Sequence, residues 1–566
     1  MIGSMAREAK GRGKTAVFPH ILTHPGLLAG STALLVYLLT LAPDLTWRSY
    51  GGDGGELIAA SVTLGVPHPT GYPTYVLLGK LFSLLPIGTM AYRFNLFSAV
   101  AAAAAVGLTA VTLRTHFSRS TSLAASLTLA FAPLVWSQAT ITEVYGLNLL
   151  AVAAVVWAVV KKRPLFQTTL LFALSLTTHA TSLLLLPLVG WRIWEELTAE
   201  DAEGAKKEKE KRNDIGSVQD RYSKECHTRE SGYPSAAQLD SRFRGKDIWT
   251  DTKKTPRPLR PLRFKSLLGF VLGLTPLLAL PWLARPASPI VWGQPNTVGG
   301  WWWLVSGQIY RANLFALSLS DLTQRLADWG QLLAVQFSWL GLPLIAWGQK
   351  HVISTSLRGE IPYPLPTPTG FLGRPRNDMG TIFLLSLLTA VLTLIHALTY
   401  ATPDAHVLLL PTLLLLTFPL AAGMEGISRQ GAKAQRKSVS FASLRLCVPL
   451  FLLAAHIVQP PAEPISLRPA VGEIFTHAPA NAVLLTPGDA TIFTLWYFQH
   501  AERQRPDLLL VDSNLFAFDW YRQRLADQHP QLRQLAHDDL AAFQQANQPF
   551  CAVTLNPPSI RCNEDS

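Results

Sequence analysis

Apolar runs long enough to cross a bilayer, roughly 17–25 residues, recur near 26–43, 94–113, 120–137, 142–160, 266–284, 327–347, 380–400, 404–423 and 442–458. The apolar region 165–191 is too long for one span and is interrupted by Thr177, Thr178, His179 and Thr181. It therefore divides into two short spans that meet at a polar break. The pattern predicts an α-helical polytopic membrane protein of about eleven transmembrane helices. Residues 74–87 are too short and interrupted to cross, and read as an amphipathic helix lying in the interface. From 459 onward the periodicity becomes that of a soluble unit. Residues 482–486 and 507–512 are strand-like, 490–501 has helical spacing, 515–527 and 531–546 read as helices, and 552–555 as a last strand. This is a small C-terminal α/β domain.

Composition agrees: 49% of the 566 residues are apolar and 15% charged, against roughly 25% charged in soluble domains. The net charge of +12 does not point to nucleic acid, because the basic residues sit in short runs between apolar segments, where they orient spans. With the N-terminus inside, the inner loops carry Arg114 and Arg119; Lys161, Lys162 and Arg163; Lys350, Arg358, Arg374 and Arg376; and Arg429, Lys433, Arg436 and Lys437. The short outer loops 138–141 and 401–403 carry no Lys or Arg. Arg7, Lys10, Arg12 and Lys14 precede an apolar stretch without a small-residue cleavage site, so the first span is expected to be retained. The expected organisation is a membrane region over 1–194 with a first outer loop at 44–93, then a charged, solvated and disordered cytosolic insert over 195–263 that resembles a translated intergenic repeat. A second membrane region covers 264–458 and an extracytoplasmic α/β domain 459–566. Of the four cysteines, Cys226 lies in the insert and Cys447 in a span, while Cys551 and Cys562 share the tail and are able to pair if that tail is outside the cytosol.

Candidate chemistry gathers in residues 44–73. This stretch holds Asp44, Arg48, Asp53, Glu56 and His68, with Gly51, Gly52, Gly54 and Gly55 bracketing Asp53. Such glycines predict unusual backbone angles and close approach of a ligand. Pro67, Pro69, Gly71 and Pro73 make a stiff, turn-rich exit. The same outer side collects Glu143 and Tyr145, His179 at the polar break, Asp404 and His406, and a loop over 285–326 with Trp301, Trp302, Trp303, Gln308, Tyr310 and Arg311. Each has an ordinary account: a capped helix break, an interfacial anchor, a helix N-terminus. Their gathering on one face marks a site. A carboxylate base beside cations suits attack by a hydroxyl with departure of a phosphate, and a membrane-surface site suits a donor whose lipid tail lies in the bilayer.

Further motifs come in order: Asp53-Gly-Gly-Glu56, His68-Pro-Thr-Gly-Tyr-Pro73, Arg93-Phe-Asn95, Glu143-Val-Tyr145, Thr-Thr-His179, Ser306-Gly-Gln-Ile-Tyr-Arg311, Asp404 before a span containing Pro411, Leu495-Trp-Tyr-Phe-Gln, Arg505-Pro-Asp507 and Trp520-Tyr521. The ordered set resembles the family labelled domain of unknown function 2723. That family includes the transmembrane protein 260 type of protein O-mannosyltransferase, within the GT-C glycosyltransferases. The resemblance implies a GT-C-like fold in a bacterial plasma membrane and an inverting transfer of a sugar, mannose by default. The donor is a polyprenyl-phosphate sugar and the acceptor an extracytoplasmic protein or glycan. It implies Asp53 as general base with Glu56 supporting or binding it, Arg93, Arg311 and His179 holding the donor phosphate, and Glu143 and Asp404 on sugar hydroxyls. Asp44, His68, Asn95, Tyr145 and Tyr310 complete the expected substrate-binding set. No cofactor is required by this reading. Asp53 and Glu56 are the pair Mg²⁺ or Mn²⁺ would use, though two carboxylates make a sparse site. The rival reading, a transporter or flippase of lipid-linked glycan intermediates, predicts mid-membrane ionisable residues in two repeated halves; the sequence has no such repeat.

Overall fold

The computed structural model describes residues 24–202, 261–357, 378–434, 444–458 and 466–563, with the single positions 206, 210 and 213. The basic N-terminus, most of the 195–263 insert with Cys226, and Arg358, Arg374, Arg376, Arg436 and Lys437 lie outside the described residues.

Among the described residues, three helices are long and apolar enough to cross a membrane: Met90–Leu113, Gly380–Thr399 and Ala405–Gly426. Counting each bent pair as one span raises the number to six. Arg119–Phe131 and Pro133–Ala139 meet at 66°, Arg263–Gly273 and Thr275–Leu283 at 43°, and Leu319–Gln336 and Gly341–Val352 at 90°. Shorter apolar helices cover Pro25–Leu39, Tyr145–Val160, Leu165–Leu176 and Arg445–His456. The bends fall inside runs that hydropathy reads as single spans, and their causes are local. Pro133 and Pro276 each lack an N–H for the helical ladder. Between Gln336 and Gly341 the chain passes through Ser338 and Trp339, both with left-handed φ, near 56° and 57°. The expected span at 327–347 is thus two helices at a right angle. By contrast, the polar break in 165–191 is present: the Leu165–Leu176 helix ends, residues 177–179 leave the helix, and a 3-10 turn at Ala180–Leu185 leads into a helix over 186–202. The short Pro73–Ser83 helix buries Tyr75, Val76 and Gly79 and leaves Leu77 and Leu81 exposed.

Small residues set the tightest helix contact. A Cβ on Gly26 would lie 2.9 Å from the Gly107 carbonyl, and one on Gly107 2.8 Å from that of Gly26. The first helix and Met90–Leu113 therefore meet backbone to backbone, the usual device where lipid leaves no hydrophobic gradient between helices.

The C-terminal unit is a four-stranded sheet of order β2-β1-β3-β4, with β1 Val483–Thr486, β2 Leu509–Asp512, β3 Phe550–Leu555 and β4 Pro558–Cys562. β1 is parallel to β2 and to β3, while β3 and β4 form an antiparallel hairpin. Cys551 and Cys562 are opposite each other in that hairpin and form a disulfide. β4 has no counterpart among the expected strands. It begins with a proline and is mostly exposed, which sheet edges tolerate and hydrophobic alternation does not reveal. The helix expected over 531–546 forms only at Leu540–Ala546, where the Asp539 side chain accepts from the Ala542 N–H and caps it.

The apolar interior divides into two cores. One lies among the long helices, around Ala103, Phe117, Val156, Phe383 and Phe418. The second joins the first outer loop to the C-terminal unit: Leu57, Ile58, Tyr75 and Phe94 pack in one cluster with Val471, Phe493, Tyr497 and Phe516. The C-terminal unit is therefore not separate in space from the 44–93 loop.

Candidate active site

The loop after the first helix turns through Ser49 and Tyr50, which take left-handed φ values of 56° and 66°, while Gly51 sits at −74°. The unusual backbone expected of the glycines falls on their neighbours instead. The helix Gly54–Thr63 then starts directly after Asp53. Gly54 and Gly55 serve packing: a Cβ on Gly54 would lie 3.0 Å from the Thr142 carbonyl, and one on Gly55 2.3 Å from the Phe493 carbonyl. The backbone that comes close is the protein's own, from the C-terminal helix Asp489–Trp496. Gly55→Ala must push these two backbones apart. It is expected to cost about 1–3 kcal/mol, read as a lower thermal midpoint and faster proteolytic release of the C-terminal unit; an unchanged midpoint would contradict this packing role.

With the helix so placed, Glu56 in its first turn is completely buried. Its Oε2 lies 2.5 Å from His68 Nδ1, and its Oε1 accepts from the Trp292 indole N–H. The far side of the imidazole, Nε2, faces Asp53 Oδ2 at 3.6 Å. Phe493 stacks on the ring at 6.2 Å and Tyr72 meets it edge-on at 5.1 Å. The line Trp292–Glu56–His68–Asp53 thus runs from buried interior to a half-exposed carboxylate, for the Asp53 side chain is 40% accessible.

Electrostatics follow from this order. Burial alone would lower His68, but Asp53, Glu56 and the Glu56 hydrogen bond outweigh it and raise it from 6.5 to about 9. His68 is therefore an imidazolium at neutral pH. Burial raises Asp53 above the usual carboxylate range, His68 opposes this, and Glu56 and Asp404 add to it. Because the histidine's pKa is higher folded than unfolded, its contribution to stability is complete below about 6.5 and is lost as pH rises through about 9. Wild-type melting temperature is expected to fall across that window, and His68→Gln to flatten the profile; parallel profiles would refute the charge assignment.

Asp53 and His68 open on a cavity of about 500 Å³. Tyr145, His179, Tyr310, Arg311 and Asp404, all read from sequence as site residues, line the same cavity. His179 also has a local task, since its Nδ1 accepts from the Thr181 N–H and caps the 3-10 turn. Four other expected residues do not line the cavity, though Glu143 stands within electrostatic reach of Asp53 and Asp404. Arg93, expected on the donor phosphate, donates to the carbonyls of Ser83, Ile87 and Gly88 and ties off a turn. Asn95 donates to the Ala42 carbonyl and accepts from Thr142. Asp44 takes two hydrogen bonds from Arg468, which also holds Glu502, and so ties the loop to the C-terminal unit. Glu143 is buried and sits one position before Val144, which does line the cavity.

Sequence reasoning does not single out Tyr72, His396, Tyr400 or Asp489, which also line the cavity. Asp489 comes from the C-terminal unit, right after Gly488 at the start of its helix. Burial pushes it up to about 6, with Asp512, Asp53 and Glu56 adding and His68 opposing. Nor do the carboxylates fit a metal pair: both oxygens of Glu56 are engaged by His68 and Trp292, and the imidazolium stands between Glu56 and Asp53.

Residues 53–200 match the family model of the protein O-mannosyl-transferase TMEM260 N-terminal domain, and 471–538 match that of TMEM260-associated domain 2. The mouse (Mus musculus) protein O-mannosyl-transferase TMEM260 is 39% identical over 130 residues, 22% of this chain and 18% of the mouse protein. The Dictyostelium discoideum protein O-mannosyl-transferase tmem260 is 30% identical over 123 residues, 21% of this chain and 14% of that protein. Among solved structures, ArnT from Cupriavidus metallidurans bound to undecaprenyl phosphate aligns over 95% of this chain and 93% of its own, with a TM-score of 0.48 and 13% identity. Two segments of the chain are therefore similar to domains of the TMEM260 protein O-mannosyl-transferase family, one bearing Asp53, Glu56 and His68 and the other packed against it, and the matches span less than a fifth of the length of these two relatives.

Proposed function

We propose that this chain is a membrane glycosyltransferase of the GT-C type that transfers a sugar from a polyprenyl-phosphate donor to a hydroxyl of an extracytoplasmic protein or envelope glycan, with inversion. The observation that carries the reading is the half-exposed Asp53 carboxylate on the cavity wall, with its back to an imidazolium keyed by buried Glu56. Asp53 takes the proton of the acceptor hydroxyl as its oxygen attacks the anomeric carbon. The bond from that carbon to the phosphate oxygen breaks, and the polyprenyl phosphate leaves with the electron pair. The His68 charge opposes the burial of Asp53 and favours its ionised, proton-accepting form. Arg311 on the cavity wall is the cation for the departing phosphate. Leu183, Leu184, Leu314 and Leu408 on the same wall offer an apolar flank to the first units of a lipid tail. Mannose as the sugar follows the names of the related transferases. The Cys551–Cys562 disulfide supports an oxidising location for the C-terminal unit, and hence for the cavity it helps to wall.

The test is transfer of label from radiolabelled polyprenyl-phosphate mannose to envelope extract by the purified protein. Label in protein or glycan is the expected result. Donor binding with no transfer to any extract would overturn the enzyme reading in favour of a lipid-linked-glycan transporter.

A further inference from the structure

A second cavity of about 540 Å³, larger than the first, lies between the 284–296 stretch and the C-terminal unit. Its size falls within the roughly 300–1,000 Å³ of small-ligand sites. Trp292 connects this cavity to the buried end of the Glu56–His68–Asp53 line. Its indole N–H donates to Glu56, while its ring forms a wall of the second cavity. Trp496 and Trp520 extend that wall, with Trp520 5.5 Å from Trp292.

The lining residues Trp520 and Arg524 each keep one polar atom, the indole N–H and Nε, without a partner among the described residues, but both atoms are sealed behind the wall and do not open on the cavity. The terminal nitrogen of Arg524 is already engaged by the Ser288 carbonyl. The lining does hold acceptors. The amide nitrogen of Gln499 is taken by the carbonyls of Arg505 and Leu508, and that of Gln528 by the carbonyl of Ser288. This leaves an amide oxygen on each as an acceptor. Asp527 adds a carboxylate at the rim.

We propose that this cavity is a saccharide-binding site, separate from the catalytic cavity and with Trp292 in its wall, which takes a short neutral glycan. A pyranose offers a flat C–H face to an indole ring and a rim of hydroxyls that both donate and accept. The lining offers indole rings together with free amide and carboxylate oxygens.

Calorimetric titration of the full chain in nanodiscs with mannobiose, maltose and chitobiose tests this, with an unglycosylated serine-rich peptide and inorganic phosphate run alongside. At least one disaccharide is expected to bind saturably. Trp520→Phe, which shrinks the aromatic wall, should weaken that binding several-fold, and Asp53→Asn should leave it unchanged. If Trp520→Phe does not fold, Asp527→Ala at an exposed position is the second variant, with a several-fold weakening expected. The proposal is overturned if none of the three sugars binds or if only peptide or phosphate binds. It is equally overturned if Asp53→Asn abolishes the binding, or if neither second-cavity variant weakens it.

Discussion

Asp53→Asn is expected to lower sugar transfer about 10²–10⁴-fold, the usual worth of a positioned general base, while leaving donor binding intact. The change is nearly isosteric, so the loop is not asked to repack. The amide cannot take the acceptor proton, and it also removes one of the three carboxylates, with Glu56 and Asp489, that hold His68 charged. The measurement is single-turnover transfer from labelled polyprenyl-phosphate mannose, with donor retention on the protein read in the same reaction. Equal transfer by mutant and wild type would remove Asp53 from the role of base and pass it to Asp404 or Asp489, which line the same cavity. Loss of donor binding together with transfer would make Asp53 a donor ligand instead. A fall in transfer with retained donor is the pattern expected of the base alone.

Why Asp53 is readable in the sequence and Asp489 is not is a matter of local context. Asp53 sits in Asp-Gly-Gly-Glu among other acids and at the end of an apolar run, so pattern alone draws attention to it. Asp489 has only Gly488 beside it and reads as the start of an ordinary helix; it joins the site because that helix docks on Gly55 across the whole intervening chain. The glycines themselves attract notice for one reason and work by another. Sequence exposes the absence of a Cβ but not what occupies the space, which for Gly55 is the Phe493 carbonyl. Arg93 shows the converse error. A cation near an acidic loop invites a phosphate, but its guanidinium nitrogens point at three carbonyls of one turn, a use that any exposed turn can make of an arginine. Helix existence is legible from hydropathy, as at Met90–Leu113. The bends are not, because the window that detects an apolar run averages over the Pro133, Pro276 or Ser338 that breaks it.

Glu56→Ala is expected to destabilise the folded protein by about 3–5 kcal/mol, the range for removing one partner of a buried ion pair. Glu56 has no accessible surface, and it is the hydrogen-bond acceptor for both His68 and Trp292. Without it an imidazolium and an indole N–H face an apolar gap lined by Phe493 and Tyr72, and the imidazole would sooner lose its proton than remain charged there. Glu56→Gln separates the two parts of this effect. The amide oxygen still accepts one hydrogen bond, so most of the packing survives, but the Glu56 charge is lost and only Asp53 and Asp489 are left to hold His68 up. The alanine variant should therefore lose stability at every pH. The glutamine variant should lose it mainly below about pH 9, where wild-type His68 is charged, and the two profiles should converge with wild type differently on the alkaline side. Denaturant melts of both variants between about pH 6 and pH 10, a range that brackets the His68 titration, decide the matter. If Glu56→Ala melts like wild type throughout, the buried carboxylate is not the keystone of the His68–Asp53 line, and the charge on His68 must come from another source.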